Sequence, residues 1–161
     1  MSKDKIYLSW QDIENQLDRI SNKLITDNFI PDYIIAISRG GLVPGVILSH
    51  RLLVIRQNFL TWNIYSYTTE NKQEIIKADT FNNFSLVENK KVLVVDDIID
   101  SGKTIKYIKG LFNLWSSSSD IRFAVLVNKL PTYFISDIVT GSYKELDNKW
   151  IVFPWENNKN E

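Results

Sequence analysis

"VLVVDDIIDSGKTIKYI", residues 92–108, reads as a strand, a turn and the start of a helix. Val92 to Val95 are consecutive β-branched or leucyl side chains, the pattern of a strand buried on both faces. Asp96, Asp97 and Asp100 then crowd its exit, and Lys103 to Leu114 follows as a helix. Ser101-Gly102-Lys103-Thr104 has the ending of a Walker loop, which requires a glycine five positions before Gly102. That position is Asp97, which would place negative charge where bare backbone must face a phosphate, so the Walker reading fails.

The flanking sequence repeats the alternation. Ser9 with Asp12 resembles a capping box, and Ile13, Leu17, Ile20 and Leu24 recur on one helical face, which predicts a helix over 10–25. "YIIAIS" (33–38) reads as a buried strand, and Pro44 suits the start of a helix running to about Leu53. Strands are expected at 59–67, 91–96 and 121–129. Strands alternating with helices predict an α/β fold, an open and mainly parallel central sheet with helices on both faces. Two segments lack the rhythm. Residues 68–90 form a long polar interval without a period, read as a mobile loop, and Ser116 to Ser119 are read as a flexible turn.

The 161 residues suit one domain spanning 1–161 with a single substantial core. Basic and acidic residues balance at 19 each, so no global field draws nucleic acid or an anionic membrane. The absence of cysteine excludes disulfides, thiolate metal sites and a cysteine nucleophile. No apolar run approaches the roughly 20 residues of a membrane span, and a cytoplasmic protein is expected.

In open α/β sheets, ligands bind beyond the carboxyl ends of the strands. Asp96 and Asp97 at such an edge can accept hydrogen bonds from vicinal hydroxyls or assist a divalent metal. Ser101 to Thr104 leads into a helix N-terminus, where backbone N–H groups can enclose a phosphate. Arg39-Gly40-Gly41 follows a buried strand, where two glycines let backbone approach an anion closely.

With those residues in view, "VLVVDDIIDSGKT" resembles the donor-binding signature of type I phosphoribosyltransferases. "ISRGGLVPG" (37–45), Ser66-Tyr67, Lys129 and "WIVFPWE" (150–156) are similar to the bacterial xanthine-guanine and other 6-oxopurine members. The resemblance implies transfer of a phosphoribosyl group from phosphoribosyl pyrophosphate to a purine base, with Mg2+ held mainly through the substrate and assisted by Asp96 and Asp97. It implies Asp96 and Asp97 on the ribose, and Asp100 as the catalytic partner of the base imidazole nitrogen. It puts Ser101, Gly102, Lys103 and Thr104 on the 5-phosphate, and Arg39, Gly40 and Gly41 on the pyrophosphate. Lys129 would meet the purine 6-oxygen, Trp150 would stack on the base and Ile151 would lie beneath it. The resemblance also implies a small hood built from the N- and C-terminal segments, a mobile loop involving Ser66, Tyr67, Lys72 and Lys77, and a homodimer or homotetramer.

Two departures stand out. Val152 occupies a place where the resemblance expects an acid, and the polar interval lacks an expected Arg, for which Lys72 or Lys77 is the candidate replacement. Trp10, Trp62, Trp115 and Trp155 are expected in core or interface, and His50 is given no catalytic role. Two other functions stay open: a regulator that binds the donor or a nucleotide without turnover, and a phosphoribosyltransferase for another base.

Overall fold

The computed structural model describes residues 4–72, 74–130, 137–143 and 149–156. Its central sheet has six strands: β2 (Tyr33–Ser38), β3 (Phe59–Thr68), β4 (Glu74–Ala78), β5 (Lys91–Ile99), β6 (Asp120–Asn128) and β7 (Ile138–Tyr143). They lie in the order β4-β3-β2-β5-β6-β7, parallel throughout except for the antiparallel edge strand β4. Helices α1 (Trp10–Thr26) and α2 (Leu42–Arg51) cover one face, while α3 (Phe84–Val87) and α4 (Lys103–Trp115) pack on the other. Strands β1 (Lys5–Tyr7) and β8 (Trp150–Val152) pair in parallel as a separate small sheet, the expected hood of N- and C-terminal segments.

Local chemistry explains the main boundaries. Ser9 and Asp12 exchange both bonds of a capping box at the start of α1, and Ile13, Leu17, Ile20 and Leu24 form its buried stripe. α2 starts two residues before Pro44, whose missing N–H costs nothing in a first helical turn. β5 continues beyond the expected end at Asp96, because its pairing with β6 runs on through Asp96, Ile98 and Ile99. Its pairing with β2 stops at Val95. The sheet therefore parts at the acids: from β2 the chain returns by α2 to β3, and from β5 by α4 to β6 on the other side. This is the strand-order switch at which open α/β sheets form their ligand crevice.

The polar interval 68–90 contains more structure than its sequence suggests. Ile76 and Ala78 of β4, and Phe84 of α3, pack against a core cluster that includes Phe81 and Val87. Phe81 stacks on Trp62 with ring centroids 4.6 Å apart. The serine run is likewise an ordered turn rather than a flexible one. Ser116 is 2% exposed, its Oγ lies 2.7 Å from that of Ser119, and Ser119 Oγ donates to the Val87 carbonyl.

Candidate active site

Two clefts open at the carboxyl end of β5, one on each side of the strand. Successive strand residues point to opposite faces, so Asp96 lines the first and Asp97 the second. The first, about 210 Å³, is lined by Ser66, Asp96, Asp100, Ser101, Gly102 and Thr104 among others. It faces the N-terminus of α4, where backbone N–H groups and the helix dipole favour an anion. Gly102 turns the chain with φ of 74°, and a Cβ there would stand 2.6 Å from Leu130 Cδ1. Its positive φ makes any side chain strained, and a side chain would also displace the tip of Leu130.

The second cleft, about 600 Å³, is lined by Arg39, Gly40, Asp97, Trp155 and Glu156. The loop after β2, which follows a cis Ser38–Arg39 peptide, folds tightly against the exit of β5. A Cβ on Gly40 would fall 2.0 Å from Asp97 Oδ2, and one on Gly41 would fall 2.2 Å from the Val95 carbonyl oxygen. Gly-Gly is thus demanded by the approach of this loop to the acidic pair.

The two acids share one electrostatic environment. The Asp97 backbone N–H donates to Asp96 Oδ1 at 3.0 Å. Burial, and then the Asp97 charge, push the Asp96 carboxyl well above the usual carboxylate range. Burial first, and then the charge of Glu156, push Asp97 up to about 6.

Lys129 and Asp100, 29 positions apart in sequence, meet beside the first cleft: Lys129 Nζ donates to Asp100 Oδ1 at 2.9 Å and to the Lys149 carbonyl at 3.1 Å. The Lys129 side chain is 10% exposed, whereas Asp100 is open to solvent. Trp150, the next residue after Lys149, is 57% exposed. Ile151 does not present its side chain to this side; it is buried in the core with Phe153 and packs beside Ile6, so only its main chain can meet a ligand.

Other expected residues separate. Ser66 reaches the first cleft. Tyr67 faces the opposite side of the β3–β4 hairpin, where the Lys77 ammonium lies 5.1 Å from its ring centroid. Lys77 therefore points away from the Ser66 side, and Lys72 sits exposed at the hairpin turn with φ of 59°. Among the described residues no group of three or more His, Asp or Glu gathers as a ready metal site. Trp62 is core, but Trp10 and Trp115 are exposed. Trp155 stacks on Phe153 and also walls the second cleft. Sequence reasoning missed Glu156 altogether. Its signal was present in "PWE", but its nearness to Asp97 depends on the hood folding back over the sheet.

A family model described as "Phosphoribosyl transferase domain" matches residues 4–158. The chain belongs to that family. It is 26% identical to a xanthine-guanine phosphoribosyltransferase of Cereibacter sphaeroides, over 93% of this chain and 86% of the relative. Among solved structures it resembles a purine phosphoribosyltransferase of Pyrococcus horikoshii, with a TM-score of 0.70 and 28% identity, covering 96% of this chain and 95% of the other. It also has the fold of a hypothetical protein of Neisseria gonorrhoeae with bound ppGpp, with a TM-score of 0.79 and 24% identity, covering 98% and 92%.

Proposed function

We propose that the protein is a purine salvage enzyme that transfers the phosphoribosyl group of phosphoribosyl pyrophosphate to a 6-oxopurine. The observation that carries this reading is the Lys129–Asp100 pair beside the acidic exit of β5. It supplies a donor for a purine 6-oxygen and an acceptor for an imidazole proton at the edge of a sugar-phosphate cleft. The bond from the anomeric carbon to pyrophosphate breaks with its electron pair leaving on the pyrophosphate, while a ring nitrogen of the base bonds that carbon. The base proton passes to or is held by Asp100. Positive charge develops on the ribose in such a step, as in glycoside cleavage, and Asp96 and Asp97 would stabilise it.

The 5-phosphate would sit against Ser101 to Thr104, and the pyrophosphate in the second cleft beside Arg39, Gly40 and Gly41. The oxygen donors of Asp97 and Glu156 in that cleft fit Mg2+, completed by waters and pyrophosphate oxygens. Bound there, the ion would neutralise leaving-group charge. Burial makes Asp96 the poorer partner for it. The reading carries with it a single domain, a cytoplasmic setting and a homo-oligomer. Trp150 would stack on the base, and the main chain of Ile151 would read its edge.

A second reading, a nucleotide-binding regulator without turnover, is favoured by the ppGpp carried by the Neisseria structure. One experiment separates the two. Purified protein is mixed with phosphoribosyl pyrophosphate, Mg2+ and each of guanine, hypoxanthine, xanthine and adenine, and products are resolved by chromatography. Monophosphate formation from guanine or hypoxanthine is expected. Adenine as the preferred base would overturn the role of Lys129, and no turnover with tight ppGpp binding would favour the regulator.

A further inference from the structure

Asn128 ends β6 where the strand's own pattern asks for an apolar residue. Phe123 to Val127 are all buried, and Asn128 follows them into the sheet at 6% exposed. It pairs with Ile99 of β5 on one side and Tyr143 of β7 on the other. A carboxamide taken out of water in such a place is costly unless its polar atoms are used. Asn128 Oδ1 accepts the Leu130 N–H at 2.9 Å, while the Lys129 N–H between them donates to the Ile99 carbonyl at 3.0 Å. This is an Asx turn, in which a side chain stands in for a backbone acceptor and bends the chain as it leaves the strand.

The turn is pinned at both ends. Asn128 is fixed between two strands, and Leu130 packs against the core cluster shared with α4. It lies so close to Gly102 that a Cβ there would meet Leu130 Cδ1 at 2.6 Å. Lys129 stands between these anchors, and its ammonium donates to Asp100 Oδ1 and to the Lys149 carbonyl. An ammonium has three N–H donors, so among the described residues one is left for a ligand. On a flexible four-carbon stem, the aim of that last donor is set only where the backbone at its root is set.

We propose that Asn128 is a positioning residue for the transfer reaction: by closing the turn it holds the root of Lys129 and so aims the ammonium at the purine 6-oxygen. The inference rests on the base role of Lys129 given above. In this role Asn128 contacts no substrate and acts through the residue after it. Strand pairing alone does not do the same, because an apolar residue at this place would leave the Leu130 N–H without its acceptor.

Three variants of the full chain test this, each checked for folding by circular dichroism and melting. Asn128→Leu keeps the volume and removes the acceptor, Asn128→Ala removes both, and Asn128→Asp keeps the acceptor. Loss of the acceptor is expected to raise KM for guanine or hypoxanthine about tenfold, more than it lowers kcat, with donor affinity by calorimetry within about twofold of wild type. Asn128→Asp should recover most of that loss. A purely structural role would lower the melting temperature without splitting base from donor. In a Lys129→Met background, whose own purine KM is raised, Asn128→Leu should add less than about twofold, because the side chain it positions is gone. Folded Asn128→Leu and Asn128→Ala with wild-type purine KM, a folded Asn128→Asp no better than Asn128→Leu, or full additivity with Lys129→Met would each overturn the inference and leave the role of Lys129 standing. A wild-type purine KM in Lys129→Met itself would overturn that role and the inference with it.

Discussion

At the scale of single residues, the acidic pair sets stability against function. A carboxyl with a folded pKa of about 6, above an unfolded value near 3.9, binds more protons folded than unfolded between those values. Stability then falls as pH rises through that window and stays lower above it. Asp97→Asn removes this penalty and should raise stability at pH 7 to 8 by about 1 kcal/mol or more, roughly 2–4 °C per kcal/mol in melting temperature. The same variant should lose donor affinity. In the wild type, kcat/KM for the donor should fall below pH about 6 as Asp97 protonates, which a pH-rate profile reads. Asp100 divides differently. Because it is open to solvent and paired with Lys129, Asp100→Asn should retain donor binding by calorimetry and lose about 10²–10⁴-fold in turnover, the usual cost of a lost general base. Wild-type turnover in that variant would reduce Asp100 to a holder of Lys129.

At the scale of elements, the strand-turn-helix of β5 and α4 builds the proposed phosphate cradle from contiguous sequence. Gly102→Val forces a side chain onto Leu130 at a positive φ, and donor affinity should drop by an order of magnitude or more before turnover at saturation does. The hairpin offers a contrasting test. If Phe81 anchors the segment after β4 through its stack on Trp62, Phe81→Ala should cost about 3–5 kcal/mol in denaturant unfolding; a cost below about 1 kcal/mol would show a loosely attached segment. These elements also show what was legible. β2 and α4 fall within a residue of their expected ends because a run of β-branched residues or a full apolar stripe leaves little choice of period. β4 was hidden because an edge strand covered on one face offers the core only Ile76 and Ala78, and Ile75 beside them breaks the alternation. β8 has three residues and no pattern of its own; its partner lies at the far end of the chain. Asp96, Asp97 and Asp100 were legible for the opposite reason, since one strand exit carries them all.

At the scale of the molecule, the hood joins the two ends of the chain over the crevice. β1 and β8 pair through Ile6 and Ile151, with the Leu8 N–H donating to the Val152 carbonyl and that of Trp150 to Asp4. Ile151 and Phe153 are rooted in the main core, and Ile6 packs against it. The segment carrying Trp150 and the Lys149 carbonyl that holds Lys129 therefore depends on a strand from the opposite terminus. Ile6→Asp places a charge in that contact and should loosen the pairing without touching the cradle, which is built from β5 and α4. The expected outcome is a rise of about tenfold or more in KM for the purine, with donor affinity by calorimetry within about twofold of wild type. Equal losses for base and donor would mean that the hood supports the whole crevice rather than its base side, and no change in either would free the base side from the N-terminal strand altogether.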